Sequence, residues 1–568
     1  MSDKRTKDWQ LYEAGRNYNN RLEPSYYSTV DTNLAFVEGN QWRGLEGEEI
    51  PKPTFNIIKR VLQFFVASLT SSKIKIHFEP LLYSEAAKND EEITPADIAN
   101  AQVQNLLEKF KFDFKIKDVL FDGASTGDGC AHFFFNVNKK PYGGAVKDVK
   151  GEIEMELVDG TNVFFGNANS SLVSNQPYII LSGRDMVDNL KAEAKLYKQK
   201  NQEIDSIKSD SDYEDQAGDS GKIEVDADDY GKALYIIVYR KDKKTGRILA
   251  SKSVENAYIY KDIDTGLSHY PIAWFNWEKQ KNQYHGRALC TGIIPNQIYI
   301  NRMFAMVMYN SMLTAFPKAV YNADVIPNWN NQIGEAIPVR GLDQTANIKS
   351  IAGYLEPGNM SSQINNIIEL AMQYTKETLG ISDAALGQID PKNTSAIIAV
   401  QKSSAIPLEN PKANLYEWIE TIGEILFDMM SAKYGVRPIQ IERNGQKEIV
   451  EFDFSQFKDT WLDIRADVGE STYWSELASI QTLDNLLAQD KIDFLDYLER
   501  VPEEYIPQKQ ELMSKIKENM AAQQQVANDP SALIAQLSPE EQQAFNNAPP
   551  EVQQQILAQV QQPPAPQM

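Results

Sequence analysis

The stretch PIAWFNWEKQKNQYHGRALCTGIIPNQIYINRMFAMVMYNSMLTAFPKAVY, residues 271–321, decides how the rest of the chain is read. Pro271 to Trp277 is a short aromatic strand that runs into a polar turn through Gly286. Pro295 suits a first helical position, where its missing N–H would have no partner. No Gly or Pro follows until Pro317, so the spacing predicts a helix from about Pro295 to Ala315. At 1.5 Å per residue that is about 30 Å of rod. Ile298, Met303, Met306, Met308 and Met312 spread apolar surface nearly all round it, interrupted by Asn301, Arg302, Asn310 and Ser311. Such a helix expects protein on several sides, either as an ordinary core helix or packed among neighbours.

A partner of nearly equal length follows. Ser361 or Ser362 can cap it, and Ile364, Ile367, Ile368, Ala371, Met372 and Leu379 keep helical spacing up to Gly380, which fits a C′ position. Its length is about 28 Å. Between the two lies a Pro- and Gly-punctuated insertion, Pro317 to Pro357. Two equal rods flanking a compact insertion make a hairpin with a head at its far end.

Upstream, residues 8–42 read as helices broken at Pro24, and NIIKRVLQFFVASLT and the stretch after Thr94 read as two more. Lys109, Lys111, Lys115 and Lys117 form a dense basic cluster, read as a solvated helix face. From Cys130 to about residue 277 the period changes to two, in AHFFFNV, EIEMELVD, NVFFG, PYIILSGR, ALYIIVYR and ENAYIYKD. Lys191 to Tyr230 interrupts this β-rich part as a helix followed by an acidic, mobile loop at about 200–230. Downstream, a helix capped at Asn393 or Thr394 must kink or break at Pro407 and Pro411. Strand character returns over 438–468, and amphipathic helices run from Trp474 to about Met520. The remainder is dominated by Gln, Ala and Pro and reads as largely disordered on its own.

The 568 residues carry 79 Asp and Glu against 57 Lys and Arg, a net charge of −22 that argues against a broad basic surface gripping nucleic acid. It leaves room for a surface that DNA slides past. With only Cys130 and Cys290, a disulfide framework is excluded and a reducing assembly compartment is expected. The histidines His77, His132, His269 and His285 are isolated, and no pair has metal-ligand spacing. The longest apolar run near the N-terminus, Val61 to Leu69, is interrupted by Gln63 and Ser68 and is far too short to span a bilayer. Walker, G-x-S-x-G, H-E-x-x-H and C-x-x-C motifs are all missing, so the chain reads as architecture, with no cofactor and no metal, and not as an enzyme.

Four segments resemble the portal proteins of tailed bacteriophages. NLAFVEGNQW (33–42) with NIIKRVLQFFVASLTS (56–71) looks like the start of a portal wing. YHGRALCTGIIPNQIYINRM (284–303), a G-x-[SA]…P-x-Q-x-x-x-N pattern, looks like the beginning of a first stem helix. LGISDAALGQIDPKNTSAIIAVQ (379–401) is similar to a tunnel loop and the start of a long wing helix. IDFLDYLERVPEEYIPQKQEL (492–512) is much like the C-terminal helices of podovirus-like portals.

The resemblance implies an α+β, mainly helical portal fold. The wing would span 1–282, the first stem helix 283–316, the clip 317–357, the second stem helix 358–380 and the tunnel loop 381–394. A long kinked wing helix with strands would span 395–470, crown helices 471–520 and a disordered tail 521–568 in place of the helical barrel of some relatives. It further implies a homo-oligomeric ring, usually of twelve subunits, at the portal vertex of the virion capsid, assembled in the host cytoplasm and using no membrane. Double-stranded DNA would pass through its channel. The terminase large subunit, the head–tail adaptor and the major capsid or scaffold protein would be its partners. Gln388, Asp390, Lys392 and Asn393 are the candidates for the channel loop, Lys392 as a point charge for transient phosphate contact. Asn301, Arg302, Asn310 and Ser311 are the polar positions to place against channel and subunit interface. The competing readings are another head–tail connector or tail-tube ring, and a metal-dependent enzyme acting on nucleic acid.

Overall fold

The computed structural model describes residues 5–44, 50–70, 74–80, 94–141, 149–209, 212–215, 218–224, 231–315, 319–326, 351–354, 363–380, 406–443, 446–460, 462–468, 473–489, 491–501 and 512–517, with the single positions 328, 506, 509 and 549. The chain divides into two units, Met1–Gly469 and Glu470–Met568.

In the first unit, α1 (Lys7–Arg21) starts at Thr6, whose hydroxyl accepts the Trp9 N–H. The break expected at Pro24 separates it from α2 (Tyr26–Glu38), which ends at Gly39 with φ +97°, a left-handed cap that favours glycine. Asn56 caps α3 (Ile57–Leu69) by accepting the Lys59 N–H. Strand β1 (Ile74–Pro80) buries Ile74, Ile76 and Phe78 on alternate positions. Thr94 and Asp97 form a capping box for α4 (Pro95–Phe110), and α5 (Phe112–Thr126) follows through Lys111.

The β-rich part is where its period-two runs lie. Strands β2 (Asp128–Asn136) and β3 (Glu152–Val158) pair antiparallel, with β4 (Val163–Phe165) and β5 (Tyr178–Met186) beyond them. The interruption holds α6 (Val187–Leu196), α7 (Asn201–Asp205) and a hairpin of β6 (Asp212–Asp215) with β7 (Gly218–Glu224). A helix and a hairpin thus occupy part of the span read as a loop, and residues 225–230 lie outside the described residues. Then come β8 (Lys232–Lys241), β9 (Ile248–Ser253), β10 (Tyr258–Asp264) and β11 (Ile272–Asn276). One antiparallel sheet runs β10-β9-β8-β5-β4 and a second β11-β2-β3. The central strand β2 is buried from Asp128 to Phe133, with the polar side chains of Asp128 and His132 included.

Helix α8 (Leu289–Ala315) begins at Leu289, not at Pro295 as the sequence predicts. Proline deletes only one N–H, the one that would reach the Thr291 carbonyl. The turn before it is held from outside: Asn33 of α2 donates to Thr291 Oγ1 at 2.9 Å, and the Cys290 thiol reaches the Asn33 carbonyl. Beyond it, β12 (Ala319–Tyr321) pairs antiparallel with β13 (Ala352–Tyr354), and α9 (Gln363–Thr378) packs back on α8. Gly380 ends it with φ +68°, as the C′ reading expects.

A short 3₁₀ turn, Ile406–Leu408, leads into α10 (Glu409–Lys433), so the helix starts where Pro407 and Pro411 stand; residues 395–405 lie outside the described residues. Leu415, Trp418, Ile419, Ile422, Leu426 and Met429 make its buried stripe, and the Trp418 indole donates to the Ala273 carbonyl at 3.1 Å. After it, β14 (Val436–Arg443) and β15 (Gln446–Asp453) form a hairpin, and β16 (Leu462–Val468) pairs antiparallel with β1 from Ile74↔Val468 to Pro80↔Leu462. Gly423 of α10 is set against Ile464 of β16 and Ile76 of β1, where a Cβ would lie 2.7 Å from the former. In the second unit, α11 (Tyr473–Ala488) and α12 (Phe494–Arg500) are joined by the Tyr497 hydroxyl donating to Asp484 at 2.7 Å. No helix among the described residues is long and apolar enough to cross a membrane.

Candidate functional site

Helix α8 grows out of a buried polar anchor. The Asp128 carboxylate, at the start of β2, is fully buried and accepts four hydrogen bonds. Oδ1 takes Asn276 Nδ2 and the Gly286 N–H, both at 2.7 Å; Oδ2 takes the Tyr26 hydroxyl at 2.9 Å and lies 2.6 Å from His285 Nδ1. His285 stacks on Tyr26 with ring centroids 3.6 Å apart, and its Nε2 lies 3.1 Å from Asn19 Oδ1. Burial, reinforced by the Asp128 and Asp159 charges, holds the Tyr26 hydroxyl well above its ordinary pKa, and burial does the same for Tyr284. Both phenols therefore stay protonated and donate.

Behind these side chains the backbones touch. Gly127 has φ +106°, and a Cβ there would sit 2.4 Å from the Gly286 carbonyl oxygen; a Cβ on Gly286 would sit 2.5 Å from that of Gly127. The anchor thus joins the α5–β2 turn, α1, α2, β11 and the approach to α8. Both oxygens of the buried Asp128 carboxylate are engaged twice, so the group ties these segments together.

Two turns further on, a side-chain ladder repeats the attachment. Gln297 accepts the Ile57 N–H at 3.1 Å and donates to the Phe55 carbonyl at 2.8 Å and to Asn301 Oδ1 at 2.9 Å. Asn301 donates to Gln41 Oε1 at 2.6 Å, and Gln41 to the Phe36 carbonyl at 3.0 Å. Of the motif read over 284–303, Gly286 therefore ties the approach to α8 to the start of β2, while Gln297 and Asn301 fasten α8 to the segments around α2 and α3.

Past Asn301 the helix changes character. Met306, Met308, Tyr309 and Met312 are exposed, as are Ile367, Leu370 and Tyr374 on α9. On α9 these three stand at i, i+3 and i+7, while Ile368 and Thr375 on another face are buried. The helix thus buries one face against its own chain and leaves an apolar face exposed. Pairing of Ala319↔Tyr354 to Tyr321↔Ala352 closes the base of the insertion, most of which lies outside the described residues.

The four polar stem candidates separate. Asn301 is buried in the ladder, and Arg302 is exposed. Asn310 is half-buried, its side-chain oxygen accepting from Thr314; Ser311 is exposed and donates to the Val307 carbonyl. Gln388, Asp390, Lys392 and Asn393 lie outside the described residues. The lysine cluster is more than a solvated face: Lys109 pairs with Glu152 and Lys115 donates to the Met155 carbonyl, bracing α4 and α5 on β3. The sequence alone does not point to the anchor, because His285 reads there as an isolated histidine. The available signal was the close succession Gly127-Asp128-Gly129 with His285-Gly286 beside a buried strand.

No curated protein matches the chain. The sequence model of the family described as phage P22-like portal protein matches residues 191–568, which include both long helices, the insertion, α10 and the second unit. The match covers more than half of the chain, and the chain therefore belongs to the phage P22-like portal protein family, the tailed-phage structural proteins that form an oligomeric ring at the virion capsid vertex.

Proposed function

We propose that this protein forms the DNA channel of the capsid: a closed ring through which the terminase motor drives DNA inward, which retains the genome, and through which it leaves on ejection. The observation that carries the reading is the α8–α9 pair, held to its own subunit by the Asp128 anchor and the Gln297–Asn301 ladder while Met306, Met312, Ile367, Leu370 and Tyr374 stay exposed. An apolar face turned outward on a firmly held arm suits burial by the next copy around a cyclic, head-to-tail interface. In this reading α8 and α9 are the stem and residues 317–357 the clip. Residues 381–394 are the tunnel loop, the remainder of the first unit is the wing, and the helices from Tyr473 form the crown. An excess of 79 acidic over 57 basic residues, multiplied around a ring, repels phosphates and keeps DNA mobile.

The clip is the surface offered to the terminase and the adaptor. Deleting the tip of 317–357 tests this: rings should still form while packaging and adaptor binding are lost, and retention of both activities would remove the assignment. Native mass spectrometry of the intact protein should give one closed stoichiometry.

A further inference from the structure

We infer that the groove between α2 and α8 is the socket into which a neighbouring copy of this chain inserts an acidic side chain. The inference rests on the ring reading above and assigns the groove a role within it. The groove encloses about 440 Å³ and has an apolar floor that includes Phe36, Trp42 and Ile298. At its rim, Arg43 is already matched, its Nη1 lying 2.8 Å from Asp31 Oδ2. Arg302 is not matched: it is exposed, lines the same groove, and has no hydrogen bond or ion pair with any described residue. The groove therefore sets an apolar patch of Ala35, Phe36, Trp42 and Ile298 among polar walls, with one guanidinium that has no partner among the described residues, the group best suited to a forked contact with a carboxylate.

Two observations choose the occupant. Arg302 stands between Tyr299 and Met306 on one helical face, so the slot continues the exposed apolar stripe that the ring reading assigns to the next subunit. The chain is also strongly acidic, so each copy has carboxylates to offer. DNA is the poorer match. A phosphate backbone is gripped by several cations at once, whereas here one free cation among the described residues of the groove faces a slot that already holds the Asp31 carboxylate.

The test uses the full chain in a mixture of isotopically light and heavy protein. Asn40, exposed on the groove wall, is replaced by the photo-cross-linker p-benzoylphenylalanine. Irradiated rings should yield mixed light–heavy cross-links to a peptide containing Asp or Glu. In parallel, Arg302→Glu should raise the concentration needed for half-assembly about tenfold, and Arg302→Lys much less. Rings whose cross-links all stay within one chain, or go to added DNA, overturn the socket and leave the ring standing. So does an unchanged assembly midpoint in Arg302→Glu. If the unsubstituted protein forms no ring, the underlying reading falls as well.

Discussion

His285 Nδ1 lies 2.6 Å from Asp128 Oδ2, although the two residues are 157 positions apart and both are buried. This contact ties the segment that leads into α8 to the start of β2. Removing the carboxylate strands four donors with no solvent to replace it. Asp128→Ala should cost about 3–5 kcal/mol in urea unfolding. Asp128→Asn, which keeps the shape but offers one acceptor oxygen, should fall between Asp128→Ala and Tyr26→Phe. Equal midpoints for the three variants would deny the anchor its role.

Two glycines near that contact should respond in opposite directions. Gly286 faces the Gly127 carbonyl, so Gly286→Ala forces backbone apart and should destabilise by several kcal/mol, on the order of other severe backbone strains. Gly292, one turn into α8, is exposed, and a Cβ added there would meet nothing within 4 Å, so Gly292→Ala should stabilise by up to about 1 kcal/mol. Thermal melts of the two variants compare them directly.

The pH dependence has a named contributor. Burial, and then the Asp159 and Asp118 charges, push the Asp122 carboxyl up to about 7 from 3.8. A carboxyl raised on folding favours the protonated native state, so its stabilisation is complete below pH 3.8 and is lost as pH rises through about 7. Three pH units correspond to at most about 4 kcal/mol. Asp122→Asn should therefore flatten the stability profile between pH 4 and 8 and leave the protein more stable than the parent at pH 8. A profile unchanged by the substitution would exclude Asp122 as its source.

Polar residues on α8 should not behave alike. Asn301→Ala breaks the ladder to Gln41 and Gln297 and should cost about 1–3 kcal/mol. Ser311→Ala, exposed and, among the described residues, bonded to its own helix, should stay within about 0.5 kcal/mol. Met306→Glu and Tyr374→Glu should leave the melting temperature of the unassembled subunit nearly unchanged while preventing assembly, read by sedimentation velocity.

The helix–insertion–helix core is legible in sequence because its signals are local. Apolar spacing, Gly380 as a stop and Pro317 as a break all act within one turn of where they stand. Strand runs such as AHFFFNV are legible for the same reason. The start of α8 is not, because its first turn is held by Asn33, far away in sequence. Strand β1 alternates clearly in IKIHFEP, yet its partner β16 begins at Leu462, and nothing local sets a register across that distance. The anchor escapes for a related reason. Asp128, His285, Tyr26 and Asn19 come from four segments, and each alone is an ordinary polar residue.

Electron microscopy of the purified, unsubstituted protein decides whether the chain closes into a ring around a channel. Closed rings with a central hole are expected, in which the paired α8 and α9 helices of adjacent copies bury Met306, Met312, Leu370 and Tyr374 against one another. A monodisperse monomer, or rings in which those four side chains remain in solvent, would contradict that arrangement.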